Sequence, residues 1–122
     1  MRHTLYMKEG RIMTKACFQS HADTVLQDLG GGTHRRVLAH DKPLMVVEVS
    51  FEAGAEGAMH SHPHVQCSYV LSGVFRYTVE DETVEMHAGD SIIVPGGKMH
   101  GTVCVEPGKL LDVFTPQRDD FL

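Results

Sequence analysis

Val65-Gln66-Cys67-Ser68-Tyr69-Val70-Leu71-Ser72-Gly73-Val74-Phe75-Arg76-Tyr77-Thr78-Val79-Glu80 is two apolar, β-branched and aromatic runs on either side of Ser72-Gly73. Runs of this length broken by a Ser-Gly pair predict a β-hairpin, with strands over 65–71 and 74–80. The pattern continues upstream. Arg35–Ala39 is a short strand, and Leu44–Phe51 alternates, with Met45, Val47, Val49 and Phe51 on one face and Glu48 and Ser50 on the other. Downstream, Asp81-Glu82 turns into Thr83–His87, and Ser91–Val94 is stopped by Pro95-Gly96-Gly97. Gly101–Val105 and Leu110–Phe114 flank Glu106-Pro107-Gly108, a further turn signal. No ten-residue window beyond position 30 carries a helical period. About eight or nine short strands at this spacing describe an all-β chain, a small antiparallel sandwich or barrel of the jelly-roll type.

The bulk properties agree. A chain of 122 residues is one domain, large enough to bury a core without disulfide staples. Its 12 glycines and 5 prolines favour turns and short strands over long helices. Residues 1–22 lack periodicity and are expected to form an N-terminal arm, mobile or packed on a partner, ahead of a domain over 23–122. Leu29-Gly30-Gly31-Gly32 is a flexible turn rather than a phosphate loop, because no Lys-Ser/Thr pair and no helix follow it. With 11 basic against 16 acidic residues the net charge is −5, and no basic run exists, which argues against nucleic acid as a partner. No apolar run is long enough to span a membrane as a helix. The first thirty residues hold no seven-residue apolar core, and Cys17, Cys67 and Cys104 are odd in number without a CxxC pair. A cytoplasmic protein with reduced thiols is expected, with Cys67 and Cys104 as small buried hydrophobes.

Nine histidines are the compositional anomaly. Residues 60–66 read His-Ser-His-Pro-His-Val-Gln. In a strand, His60 and His62 share a face about 7 Å apart, and Gln66 has the same parity. Two imidazoles at this spacing can close on one divalent metal, and His100, just after the Pro95-Gly96-Gly97 corner, is the candidate third. His64 has the same parity, but Pro63 breaks the strand before it, so a pocket role suits it better than a ligand role. His21, His34, His40 and His87 stand outside any such frame and are expected as solvated polar residues.

The spacing of Gly54, His60, His62, Gln66 and Gly73, followed by Gly89, Pro95, Gly97 and His100, resembles the two signature motifs of the cupin superfamily. The resemblance implies a single cupin domain with one divalent transition metal (Ni, Zn, Fe, Mn or Co) on His60, His62, Gln66 and His100. Two positions depart from the general pattern. Gln66 stands where Glu is usual, and Cys104 where Asn is usual. Four neutral ligands leave the ion its full formal charge, which favours an anionic ligand and stronger Lewis acidity. Cys104 is expected to pack rather than ligate.

A narrower resemblance lies in Asp28–Gly32, the His60–His64 run with Gln66, and the tail Leu110-Leu-Asp-Val-Phe-Thr-Pro-Gln-Arg-Asp-Asp-Phe-Leu122. These segments are similar to the KdgF family of pectin-degradation cupins, over about residues 24–122. The resemblance implies conversion of 4,5-unsaturated uronate monosaccharides, left by pectin or alginate lyases, into linear 4-deoxy-5-keto uronates. It also implies Asp112, Phe114 and Arg118 as catalytic residues. Asp112 would move protons, Arg118 would clamp the substrate carboxylate, and Phe114 would present an apolar face to the sugar. The competing readings are an Fe(II)-dependent cupin dioxygenase and a non-catalytic sugar-binding cupin. A homodimer is expected, because an open barrel exposes edge strands that a second copy can cover.

Overall fold

The computed structural model describes residues 15–122, so the first fourteen residues of the expected arm lie outside the described residues. Eight antiparallel strands run β1 (Gln27–Gly30), β2 (Thr33–Asp41), β3 (Leu44–Phe51), β4 (Glu56–His60), β5 (Val65–Val79), β6 (Glu82–His87), β7 (Ser91–Val94) and β8 (His100–Thr115). The only helical elements among the described residues are 3-10 turns at His21–Asp23 and Asp119–Phe121. The all-β jelly roll expected from the alternation is the fold observed, and the glycine run forms the β1–β2 turn.

Two expected turns are not turns. Ser72-Gly73 does not close a hairpin, because β5 runs unbroken from Val65 to Val79. Likewise β8 is one strand from His100 to Thr115, passing through Glu106-Pro107-Gly108. The two long strands pair with each other along their length, and their register slips only between Val70 and Phe75. At that slip both strands bend together. The first half of β5 and the second half of β8 form one sheet with β1, β2, β3 and β7. The other halves form a second sheet with β4 and β6. Shared bent strands thus make the corner of the barrel, a use of bulges that local turn chemistry cannot distinguish from a hairpin.

Glycine is required at this corner. Gly73 has φ +84°, and a Cβ on it would stand 2.6 Å from the Glu106 carbonyl oxygen and 2.7 Å from that of Pro107. Both are backbone atoms of the paired strand and cannot swing away. Gly73→Ala should therefore cost about 3 kcal/mol or more, the sum of left-handed strain and a backbone clash, read as a drop in urea midpoint.

Inward positions fill the space between the sheets. Phe51, Val70, Phe75, Tyr77, Met86, Val94, Cys104 and Leu110 form the larger core cluster, with Phe51 and Phe75 edge to face at 5.2 Å. Met45, Val47 and Phe114 form the smaller one, nearer the open end. Cys104 is buried as expected. Cys67 is only half-buried, because it lies on the outer face of β5 in register with Val113 and Ile93.

Candidate metal centre and pocket

His60, His62 and His100 come together, with one ring nitrogen of each within 4.8 Å of the others. The route differs from simple strand parity. His60 is the last residue of β4 and pairs with His100, whereas Gly57 pairs with Thr102. That register contains one extra residue, a bulge that turns His60, instead of Met59, toward His100. His62 lies beyond the strand end in the 61–64 loop, and Gln66 lies on β5. The loop is held by the Gly97 N–H, which donates to the His62 carbonyl at 2.8 Å. It also packs on Gly96, where any Cβ would collide with the Pro63 carbonyl. The Pro-Gly-Gly corner therefore seats the second histidine as well as returning the chain into β8.

The protonation pattern of the three rings follows from their outer partners. Nδ1 of His60 donates to the Ala58 carbonyl at 2.7 Å, that of His62 to the His64 carbonyl at 3.1 Å, and that of His100 to the Lys98 carbonyl at 2.9 Å. Each neutral ring then presents a bare Nε2 lone pair inward. Burial pushes His62 and His100 below the usual imidazole value, which keeps them neutral. The fourth member is the Gln66 carbonyl oxygen, 2.9 Å from His62 Nε2 and 3.1 Å from His100 Nε2. Its amide direction is set behind it, since Nε2 donates to Ser68 Oγ at 3.0 Å and to the Tyr77 hydroxyl at 3.2 Å. Four electron-pair donors thus face one point with no proton among them to share. That arrangement is repulsive by itself and fits a divalent cation, with every outer nitrogen already oriented.

The same network reaches Asp112. Ser68 donates to Asp112 Oδ1 at 2.6 Å, and the Tyr77 hydroxyl, 2.9 Å from Ser68 Oγ, supplies the proton on its other side. Burial, reinforced by the Asp112 charge, holds the Tyr77 hydroxyl well above the usual phenol range, so it remains a donor. Burial also pushes Asp112 up to about 6, against the opposing pull of the Ser68 and Gln66 hydrogen bonds and the Arg118 charge. Ser68 and Tyr77 carry no signal of their own in the sequence, because a serine and a tyrosine in a strand suit either face; the structure turns both inward, on opposite sides of the bend in β5.

A cavity of about 230 Å³ opens beside these groups, lined by His60, Gln66, His100, Asp112, Phe114 and Arg118 among others. It is sized for a small molecule and not for a polymer. Phe114 is nearly fully buried and meets the His62 and Phe121 rings edge to face, each at 5.7 Å. Arg118 is placed by the chain end. Thr115 Oγ1 donates to the Pro43 carbonyl at 2.7 Å, and the Gln117 N–H to the Lys42 carbonyl at 3.0 Å. The fork of Arg118, expected to clamp the substrate carboxylate, holds a carboxylate of its own chain. Nε and one Nη donate to the two oxygens of Asp120 at 3.0 and 2.8 Å. That contact holds Asp120 well below the usual carboxylate range.

His64 sits behind the centre, its ring 5.3 Å from that of His62, and its Nδ1 is buried with no hydrogen-bond partner among the described residues. His40 is not simply solvated, since its Nδ1 donates to Gln117 Oε1 at 2.9 Å and so helps hold the tail. His21 and His87 are exposed beside carboxylates, His21 3.3 Å from Glu48 and His87 3.2 Å from Glu85.

A bent two-sheet barrel with a histidine trio at its open end defines a cupin, and residues 47–114 match the cupin domain family. The pectin degradation protein KdgF of Dickeya dadantii is 38% identical over 102 residues, which cover 82% of this chain and 93% of that protein. The crystal structure of an RmlC-like cupin from Shewanella frigidimarina superposes with a TM-score of 0.83 at 42% identity, covering 86% of this chain and 95% of the other. KdgF from a Halomonas species gives a TM-score of 0.83 at 38% identity over 88% of this chain and all of the other. The chain belongs to the KdgF-like cupins.

Proposed function

We propose that this protein is a metal-dependent, isomerase-type enzyme of pectin or alginate breakdown that opens 4,5-unsaturated uronate monosaccharides to linear 4-deoxy-5-keto uronates. The observation that carries this reading is the shared pocket. Three of the four converging donors, His60, Gln66 and His100, line one cavity of single-sugar size together with a buried carboxyl and guanidinium groups. Relatedness to the KdgF proteins supplies the substrate class.

The chemistry calls for what these residues offer. In the substrate the ring oxygen is both a hemiacetal oxygen and an enol ether oxygen. Loss of the C1 hydroxyl proton forms the C1 carbonyl, breaks the bond from C1 to the ring oxygen, and leaves an enolate across C4, C5 and that oxygen. Protonation at C4 yields the C5 ketone, so substrate and product have the same mass and no oxidant is consumed. Asp112 is assigned the proton transfers, with Ser68 holding one of its oxygens at the cavity wall. Arg118 adds positive charge near the substrate carboxylate, and Phe114 forms the apolar wall. A divalent ion on His60, His62, Gln66 and His100 would supply Lewis-acid charge for the oxygen that becomes anionic. Imidazole and amide donors leave Ni, Zn, Fe, Mn and Co all admissible.

Chelation tests the reading. Protein dialysed against a chelator should lose turnover of unsaturated galacturonate and regain it with a divalent ion, without oxygen uptake at any stage. Turnover that survives verified metal removal would sink it.

Gln66→Glu probes the neutral ligand set. A carboxylate there should hold metal at least as tightly, because it adds charge attraction. It cannot donate to Ser68 and Tyr77, and it brings a second negative charge toward Asp112. We expect turnover to fall by at least about tenfold with metal content retained, measured by steady-state assay and metal analysis. Equal turnover in the variant would show that the neutral amide is not needed.

We also place the protein in the cytoplasm as a homodimer. Three free cysteines, one of them buried, suit a reducing compartment. Val46, Val113, Cys67 and Ile93 form one row in register across the outer face of four strands, and Ile93 is 69% exposed. An open apolar sheet face of this kind suits burial against a second copy.

A further inference from the structure

Arg35 occupies a position where the fold otherwise places an apolar side chain. On β2 it shares the inward face with Thr33 and Val37. In register it lies next to Val49, which pairs with Leu110, which pairs with Val70. A guanidinium in that row gives up part of its hydration, and burial with the neighbouring Arg118 charge pushes Arg35 below the ordinary guanidinium value.

Its partners do not offset that cost. Arg35 Nε donates at 2.8 Å to Gln27 Oε1, a neutral amide, and Cζ lies 3.8 Å from the centroid of the Phe121 ring. Arg118 Cζ lies 4.2 Å from the same centroid. The carboxylate of Asp120 is forked onto Arg118, so two cations share one ring and one bonded anion. Among the described residues the two Nη groups of Arg35 have no protein acceptor. Arg35 also lines the cavity that contains His60, Gln66 and Asp112.

We propose that Arg35 is the specificity-determining contact for the substrate carboxylate, with its two free Nη groups directed at the anion while Arg118 remains forked on Asp120. The inference deepens the uronate reading and rests on it for the identity of the anion. A carboxylate entering the pocket supplies the bonded anion that Arg35 lacks, and it pairs with a cation that has already given up part of its hydration. A neutral sugar leaves that cation unmatched, so Arg35 selects acids over neutral sugars. The stem of Arg35 and the Phe121 ring fix the height of the guanidinium in the pocket.

The test compares galacturonate and galactose binding by calorimetry on the full-length, metal-loaded protein, for the parent and for Arg35→Met, which keeps an apolar stem without the charge. Galacturonate affinity should fall by about 10- to 100-fold in the variant, with galactose binding unchanged. KM for unsaturated galacturonate should rise by a similar factor, with kcat within a few-fold. Arg35→Gln should behave the same way and serves if the Met variant does not fold. Metal content and melting temperature close to the parent's establish folding. Unchanged galacturonate affinity in a folded variant, or no preference for galacturonate in the parent, overturns the inference. A parent that prefers galacturonate through Arg35 yet leaves unsaturated galacturonate closed would overturn the uronate-opening reading and leave this one standing.

Discussion

Asp112→Asn should lower turnover by roughly 10²–10⁴-fold, or about 3–5 kcal/mol of barrier, with metal content and fold intact. The two side chains are nearly the same shape. Asn keeps an oxygen to accept from Ser68, so the Gln66–Ser68–Tyr77 network behind the metal centre survives. What disappears is the capacity to take a proton from the C1 hydroxyl and return one to C4. Ground-state binding should hold or tighten, because a negative charge facing an anionic sugar is gone. Steady-state kinetics alongside metal analysis separates these effects. If the variant runs within a few-fold of the parent, the proton transfers belong to another group. His64, with its unpartnered buried nitrogen beside the His62 ring, is the next to examine.

Replacing His62 or His100 by Ala should reduce bound metal to about a tenth of the parent's or less and take turnover with it. Each ring supplies one of four donors, and each has its outer nitrogen tied to a backbone carbonyl, so no neighbour can swing in to replace it. The two variants should differ in stability. His100 is in mid-sheet, paired with both β4 and β5, and its loss leaves a gap in the wall. His62 is on a loop whose anchor is its own backbone carbonyl, which Ala retains. The metal-free melting temperature of His62→Ala should therefore stay closer to the parent's. Full metal retention in either variant would contradict the ligand assignment.

The barrel and its centre were legible in the sequence to different depths. Alternation over Leu44–Phe51 and the burst Ser91–Val94 mark strands, because inward side chains must be apolar wherever they fall. Ser72-Gly73 and Glu106-Pro107-Gly108 were misleading for one shared reason. Each carries turn chemistry, and each is where a long strand bends, but the bend is visible only once the two sites are known to lie side by side. The same limit affects the metal centre. Counting parity from His60 leads to residues that do come together, yet the geometry comes from a bulge in β4, a loop seated on Gly96, and a different strand for Gln66. Arg35 left a signal that went unused, being in phase with Thr33 and Val37 on a strand whose other inward residues are small or apolar. The Arg118–Asp120 fork left none, since two charged residues in a tail read equally well as solvated.

Ring opening without redox change leaves a product that can be identified, and product analysis is its decisive test. Metal-loaded protein is incubated with unsaturated galacturonate while the double-bond absorbance is followed, and the product is taken to NMR and mass spectrometry. The expected result is faster loss of that absorbance than in buffer, no oxygen uptake, and a linear 4-deoxy-5-keto uronate of unchanged mass. Absorbance decaying no faster than in buffer, or a product heavier by oxygen atoms, would contradict it.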